Sequence, residues 1–169
     1  HALCRTPSLS VTQGLRAGSG KNPDPELFRQ EHERYVAALR KAGAKVTVLE
    51  PLEDFPGSVF IEDAALCLKG TAICLPQGAE TRKGETAALR PYLRTVMKDV
   101  IDLKTEGSID GGDILCTDDT VMVGLSARTI EQAALDLKTI VRDLGYDLKI
   151  LKTPPDVLHF KTDSALLDN

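Results

Sequence analysis

The sequence predicts an α/β protein assembled from repeated β-β-α-β units, and three observations lead there. Asp63, Asp113 and Asp163 recur at intervals of fifty residues, each ahead of a short apolar segment. LRKAGAKVTVL (39–49) aligns with VRDLGYDLKIL (141–151), setting Gly43 against Gly145, and ETAAL (85–89) echoes EQAAL (131–135). Self-similarity of this period marks an architecture in which one supersecondary unit cannot bury its apolar face alone and packs on its neighbours.

The elements follow in chain order. A first helix runs from about Pro25 to Ala42, because Asp24 is an N-cap residue and Pro25 suits the first helical position. In the second unit Leu66–Leu68, the turn KGT and Ala72–Leu75 read as a hairpin; in the third, Ile114–Cys116, DDT and Val121–Val123 repeat it. A helix comes next, with Ala134, Leu137, Ile140, Val141 and Leu144 on one face at helical spacing and Gly145 where a C-terminal cap belongs. The strand Asp147–Leu151 closes the unit. The units fall at roughly 1–56, 57–106 and 107–156, with 157–169 starting a fourth, and together they read as a single domain that is the front part of a longer closed fold.

Composition narrows the function. The 169 residues carry a net charge of −4, so no excess of Lys and Arg is present to displace counterions from nucleic acid. With 4% aromatic residues and no Trp, a base-stacking platform is not expected either. No apolar run approaches the roughly 20 residues of a membrane span, and HALCRTPS has no signal-peptide core, so the expectation is a cytoplasmic protein without membrane contacts. Cys4, Cys67, Cys74 and Cys116 lack CxxC spacing and read as reduced core thiols; no metal and no cofactor is expected.

Polar residues at one structural position of successive repeats converge if the units are arranged around an axis. The candidates are Phe60, Glu62 and Asp63 in SVFIED, Asp110 and Asp113 in SIDGGD, and His159 in VLHFKTD. Arg82 in GAETRKGE and Arg128 in GLSARTIE lie just after the second strand of their units. Each has a plainer reading alone: Asp110 can cap the DGG bend, His159 can be a satisfied core histidine, and the repeated aspartates can brace loop backbone. Asp113 and Asp163 are assigned to that structural role. Clustered carboxylates without a transition-metal shell suit a guanidinium, whose planar fork carboxylates meet with paired hydrogen bonds, and two arginines suit a carboxylate. A ligand with both ends is an arginine derivative.

The segments VFIED, PQGAETRKGE, SIDGGDIL, VGLSART and VLHFKT resemble, in order and spacing, those of the dimethylarginine dimethylaminohydrolases, members of the guanidino-group-modifying or pentein superfamily. The resemblance implies a five-fold pseudosymmetric α/β propeller, with about three of five modules in this chain. It implies attack of a Cys thiolate on the guanidinium carbon, loss of dimethylamine, and hydrolysis of the thiouronium intermediate to citrulline. On that resemblance His159 is the catalytic His and Asp110 its acidic partner. Glu62 and Asp63 hold the guanidinium, Arg82 and Arg128 the substrate carboxylate, Phe60 forms an apolar wall, and Leu15 lies on a lid-like loop. Gly57 departs from the Asp common there. The family's nucleophile lies near the end of a longer chain and matches none of the four cysteines, so the chain alone is expected to be inactive. Two further readings stand beside this one: an arginine deiminase or other guanidino hydrolase, and a non-catalytic module for a guanidino ligand or a protein. The expected partner is a small molecule, methylated arginine, with a homo-oligomer or a missing C-terminal segment also open.

Overall fold

In the computed structural model, which describes every residue except Ala17, Ser19, Asp168 and Asn169, the fifty-residue period has a direct structural meaning. The chain forms two compact units, His1–Ile61 and Glu62–Asn169. In the first, strand β1 (Ala2–Arg5) and strand β2 (Val46–Leu49) pair in parallel, Ala2 opposite Val46, and helix α1 (Pro25–Lys41) is the crossover between them. Asp24 caps α1 by accepting from the Glu26 and Leu27 amides at 2.9 and 3.1 Å. After the helix, Gly43 takes φ 91°, the left-handed conformation that favours glycine.

The second unit holds two copies of one topology. Strand β3 (Ala65–Leu68) runs antiparallel to β4 (Thr71–Cys74); helix α2 (Glu85–Val96) follows, and β5 (Asp99–Asp102) returns parallel to β4. Strand β6 (Ile114–Cys116), strand β7 (Thr120–Leu125), helix α3 (Glu131–Asp143) and strand β8 (Asp147–Lys152) repeat that order and those directions. The middle strand of each sheet is therefore the second in sequence. Both helices present their apolar stripe inward, α2 through Leu89 and Leu93, α3 through Ala133, Ala134, Leu137 and Val141. The observed bounds lie within a residue of the sequence expectations except in β7, which extends to Thr120 and Leu125 because its ladder with β8 continues past the apolar run.

One core serves both copies. Leu68, Ile73, Leu75, Leu103 and Ile109 pack in one cluster with Ile114, Val121, Val123, Leu137, Val141 and Leu148. Among the described residues no helix is long and apolar enough to cross a membrane. The four cysteines are unpaired; Cys4 and Cys74 are buried and Cys116 half-buried as core thiols would be, but Cys67 is exposed on β3.

Candidate active site

The residues that matter sit in short 3-10 turns feeding the repeated strands. Ile61–Ala64 leads into β3 and Gly111–Asp113 into β6, while Phe160–Thr162 precedes Asp163. Asp63 and Asp113 make corresponding bonds. One oxygen of each reaches the next repeat: Asp63 Oδ1 accepts from Gly112 N at 2.6 Å, and Asp113 Oδ1 from Phe160 N at 2.8 Å. The other oxygen turns to the loop after the second strand of its own repeat. There Asp63 Oδ2 pairs with the Arg82 guanidinium, and Asp113 Oδ2 accepts from Ser126 Oγ and Thr129 Oγ1, both at 2.7 Å. Asp163 is exposed.

These latches bring the three turns close together. A Cβ on Gly111 would lie 2.0 Å from the Glu62 carbonyl oxygen, and one on Gly112 would lie 2.9 Å from both Asp63 Oδ1 and the His159 ring. Close approach, not a left-handed backbone, is what the glycine pair provides, since neither is among the positive-φ residues.

Asp63, Asp110 and His159 each place one donor atom within 4.8 Å of the others. Asp110 is fully buried; its Oδ1 accepts from Gly78 N at 2.8 Å, and its Oδ2 has no hydrogen-bond partner among the described residues. Burial pushes the Asp110 carboxyl above the usual range and Asp63 adds to this, against the lowering by the Gly78 amide, Arg82 and His159. His159 Nδ1 lies 3.3 Å from Asp113 Oδ2, an ion-pair distance at which the N–H is not aligned for a full hydrogen bond. Attraction to Asp113 raises the His159 pKa, burial opposes it, and Asp63 and Asp110 add to the rise. Burial would push Asp113 up, but attraction to His159 and the hydrogen bonds from Ser126, Thr129 and Phe160 hold it below the ordinary carboxylate value. The cluster thus brings two buried carboxylates and a half-buried imidazole together, an arrangement able to accept hydrogen bonds from a cationic donor.

The remaining expected site residues separate into three groups. Arg82 is buried, and its guanidinium is held by Glu85, through Nε at 2.9 Å and NH2 at 2.7 Å, as well as by Asp63. The guanidinium expected to meet a substrate carboxylate is therefore engaged by the protein's own acids, which raise its pKa despite burial. Glu62 is exposed and pairs with Lys161 Nζ at 2.7 Å. Arg128 is half-buried, its backbone is fixed by Ser108 and Ser126, and no described carboxylate pairs with its guanidinium. Leu15, Phe60 and Gly57 belong to the first unit, where Leu15 and Phe60 are 58% and 59% exposed. A cavity of about 360 Å³ between β4, α2 and β5 is lined by Gln77, Lys83, Arg90 and Asp102 among others, but not by Asp63, Asp110 or His159.

Ser126, Thr129, Gln77 and Glu85 were not anticipated. Glu85 had a signal, an acid three residues after Arg82, and Ser126 and Thr129 flank Arg128 in SART. Gln77 donates to Glu85 Oε2 at 3.1 Å; it lies in PQGAETRKGE, but no charge or spacing singles it out there. None of the four cysteines joins the cluster, and desolvation raises the pKa of each thiol.

The family model described as N,N dimethylarginine dimethylhydrolase, eukaryotic, matches residues 20–156. The N(G),N(G)-dimethylarginine dimethylaminohydrolase of Pseudomonas aeruginosa is 32% identical, over 100% of this chain and 66% of that protein. The protein of the same name from Streptomyces coelicolor is 32% identical over 95% of this chain and 62% of its own length. The chain thus spans a little under two thirds of these relatives. Among solved structures, a Cys-to-Ser variant of the Pseudomonas aeruginosa enzyme complexed with citrulline superposes with a TM-score of 0.94 at 33% identity, covering 98% of this chain and 65% of that one. The N-terminal domain of a cyanobacterial arginine dihydrolase, 17% identical, shares the fold with a TM-score of 0.80 over 91% of this chain and 58% of that one.

Proposed function

The chain belongs to the dimethylarginine dimethylaminohydrolase family, and from that premise we propose that it forms the guanidinium-binding, His-bearing part of an enzyme that converts Nω-methylated arginine to citrulline. The observation that carries this reading is the convergence of Asp63, Asp110 and His159 within 4.8 Å, with a buried Asp110 oxygen that has no hydrogen-bond partner among the described residues. A buried acceptor without a donor is costly, and a guanidinium N–H is the donor that relieves it. Asp110 then receives the guanidinium directly, and Asp63, already bonded at both oxygens, contributes mainly its field. Glu62 joins when Lys161 yields it.

The chemistry follows from those charges. A thiolate attacks the guanidinium carbon; the tetrahedral adduct collapses with departure of dimethylamine, which takes a proton from His159. Water, deprotonated by His159, then attacks the thiouronium carbon and expels the thiolate, giving citrulline and restoring both groups. The raised His159 pKa suits a residue that must first donate a proton and then accept one. Arg128 supplies the contact to the substrate carboxylate, since the Arg82 guanidinium is engaged by Asp63 and Glu85. We place the nucleophilic cysteine outside these 169 residues, because none of the four thiols joins the cluster of Asp63, Asp110 and His159, and burial raises each thiol where an activated nucleophile is lowered.

Calorimetry with dimethylarginine, arginine and citrulline, together with a dimethylamine-release assay, tests this. The chain alone is expected to bind dimethylarginine saturably and release no amine, and an extended reading frame that adds the cysteine segment is expected to turn it over. Absence of binding would sink the reading, faster turnover of plain arginine would move the substrate to the deiminase class, and binding without turnover in the extended protein would leave a binding module. Amine release by the chain alone would refute the external nucleophile.

A further inference from the structure

Asp113 shares its fifty-residue spacing and its inter-repeat latch with Asp63, but its surroundings differ in one respect. The residue it latches, Phe160, directly follows His159, so the same carboxylate that holds the backbone of that turn through Oδ1 also faces the imidazole through Oδ2. Asp63 has no imidazole opposite its second oxygen; it has Arg82. We propose that Asp113 is the positioning residue of His159, fixing the ring through Nδ1 and the backbone through the Phe160 amide, so that Nε2 is the nitrogen exchanging protons with a ligand.

Three features support this assignment over Asp110, the acidic partner that motif position suggests. Asp113 is fully buried and is held from three directions, by the Ser126 and Thr129 hydroxyls and by Phe160 N, so its carboxylate cannot swing away. Those donors and His159 outweigh burial and keep it ionised, and an ionised acceptor opposite Nδ1 selects the tautomer with the proton there. Among the described residues Asp110 has a single donor, Gly78 N, and burial pushes its pKa up. The ring also has little freedom on its other side, since Gly112 lies against it closely enough that a methyl group would clash at 2.9 Å. The charges facing His159 are Asp63 from the turn before β3 and Asp110 and Asp113 from the turn before β6; Lys161 is turned to Glu62.

The inference rests on the role given to His159 above, and its test is independent of substrate and turnover. Imidazole ¹⁵N shifts of the labelled chain, followed against pH, report both the His159 midpoint and its tautomer. The expected result is an Nδ1–H tautomer that Asp113→Asn abolishes, with the midpoint falling by on the order of one pH unit, while Asp110→Asn leaves the tautomer unchanged. Ser126→Ala, a milder change, removes one donor from Oδ2, concentrates charge opposite Nδ1 and is expected to move the midpoint upward; it stands in if Asp113→Asn does not fold. A purely structural Asp113 would lower thermal stability and leave tautomer and midpoint where they are. That outcome, or a tautomer controlled by Asp110, overturns the proposal.

Discussion

A methyl group added to Gly111 would meet backbone, the Glu62 carbonyl oxygen at 2.0 Å, whereas one added to Gly112 would meet side-chain atoms of Asp63 and His159. Backbone held by a strand on either side cannot retreat as a side chain can. Gly111→Ala is therefore expected to destabilise by about 1–3 kcal/mol in urea titration, as overpacking does, and Gly112→Ala to cost less stability while displacing the His159 imidazole resonances. Equal losses from the two would refute the distinction. The buried Asp110 gives a residue prediction of opposite sign. Its folded pKa is raised, so its contribution to stability is present below the unfolded value and is lost as pH rises through the folded one. The buried Asp110 charge thus costs the fold stability to the extent that it is present. Asp110→Asn keeps the acceptor for Gly78 N, removes the charge, and is expected to raise Tm at pH 7, with the gain shrinking as pH falls toward 4, while dimethylarginine binding is lost. A Tm that drops at pH 7 would show that the charge is better compensated than Asp110's contacts indicate.

At the scale of elements, α1 depends on its ends. Its buried surface is slight, Val36 alone among its residues being fully buried, so little tertiary packing compensates for a lost cap. Asp24→Ala leaves the Glu26 and Leu27 amides without their acceptor and is expected to cost about 1 kcal/mol, read as faster amide exchange in the first turn of α1 with β7 and β8 unaffected. This helix was legible because Asp24-Pro25 is a chemical signal confined to two neighbours. The hairpins were legible for the same reason: KGT contains the tight turn in which Lys69 and Gly70 take φ 46° and 84°. The 3-10 turns at 61–64, 111–113 and 160–162 were not, since three or four residues carry no periodicity. Strand β1 was missed as well, because ALCR is short and its parallel partner, Val46–Leu49, lies beyond an intervening helix. The site shows the same limit. Which residues lie in its loops could be read from the repeat, but not what each touches: the partners of Asp113 come from 13, 16 and 47 residues away. Asp110 and Asp113, three apart, are sent to different neighbours by a turn that the sequence does not announce.

At the scale of the molecule, the repeat makes a prediction about cooperativity in the Glu62–Asn169 unit. Two β-β-α-β copies could in principle melt one after the other, as stacked repeats with weak interfaces do. Here they share more than an interface. Leu75 and Leu103 from the first copy lie in one cluster with Ile109, Val123, Leu137 and Val141 from the second, and Asp63 bonds the Gly112 amide near the start of the second copy. Leu137 is fully buried on α3 within that shared cluster, so its truncation leaves a cavity in the core that serves both copies. Leu137→Ala is expected to destabilise by roughly 2–5 kcal/mol, and the loss should appear in both sheets. Native-state hydrogen exchange separates the alternatives: if the copies form one folding unit, the amides of β4, far in sequence from the substitution, lose protection together with those of β7. Protection of β4 that survives while β7 opens would mean that the copies unfold independently, and that the Asp63 latch joins two bodies instead of bracing one. Unfolding as one body is also what the candidate site requires, because Asp63 enters it from one copy and Asp110 from the other.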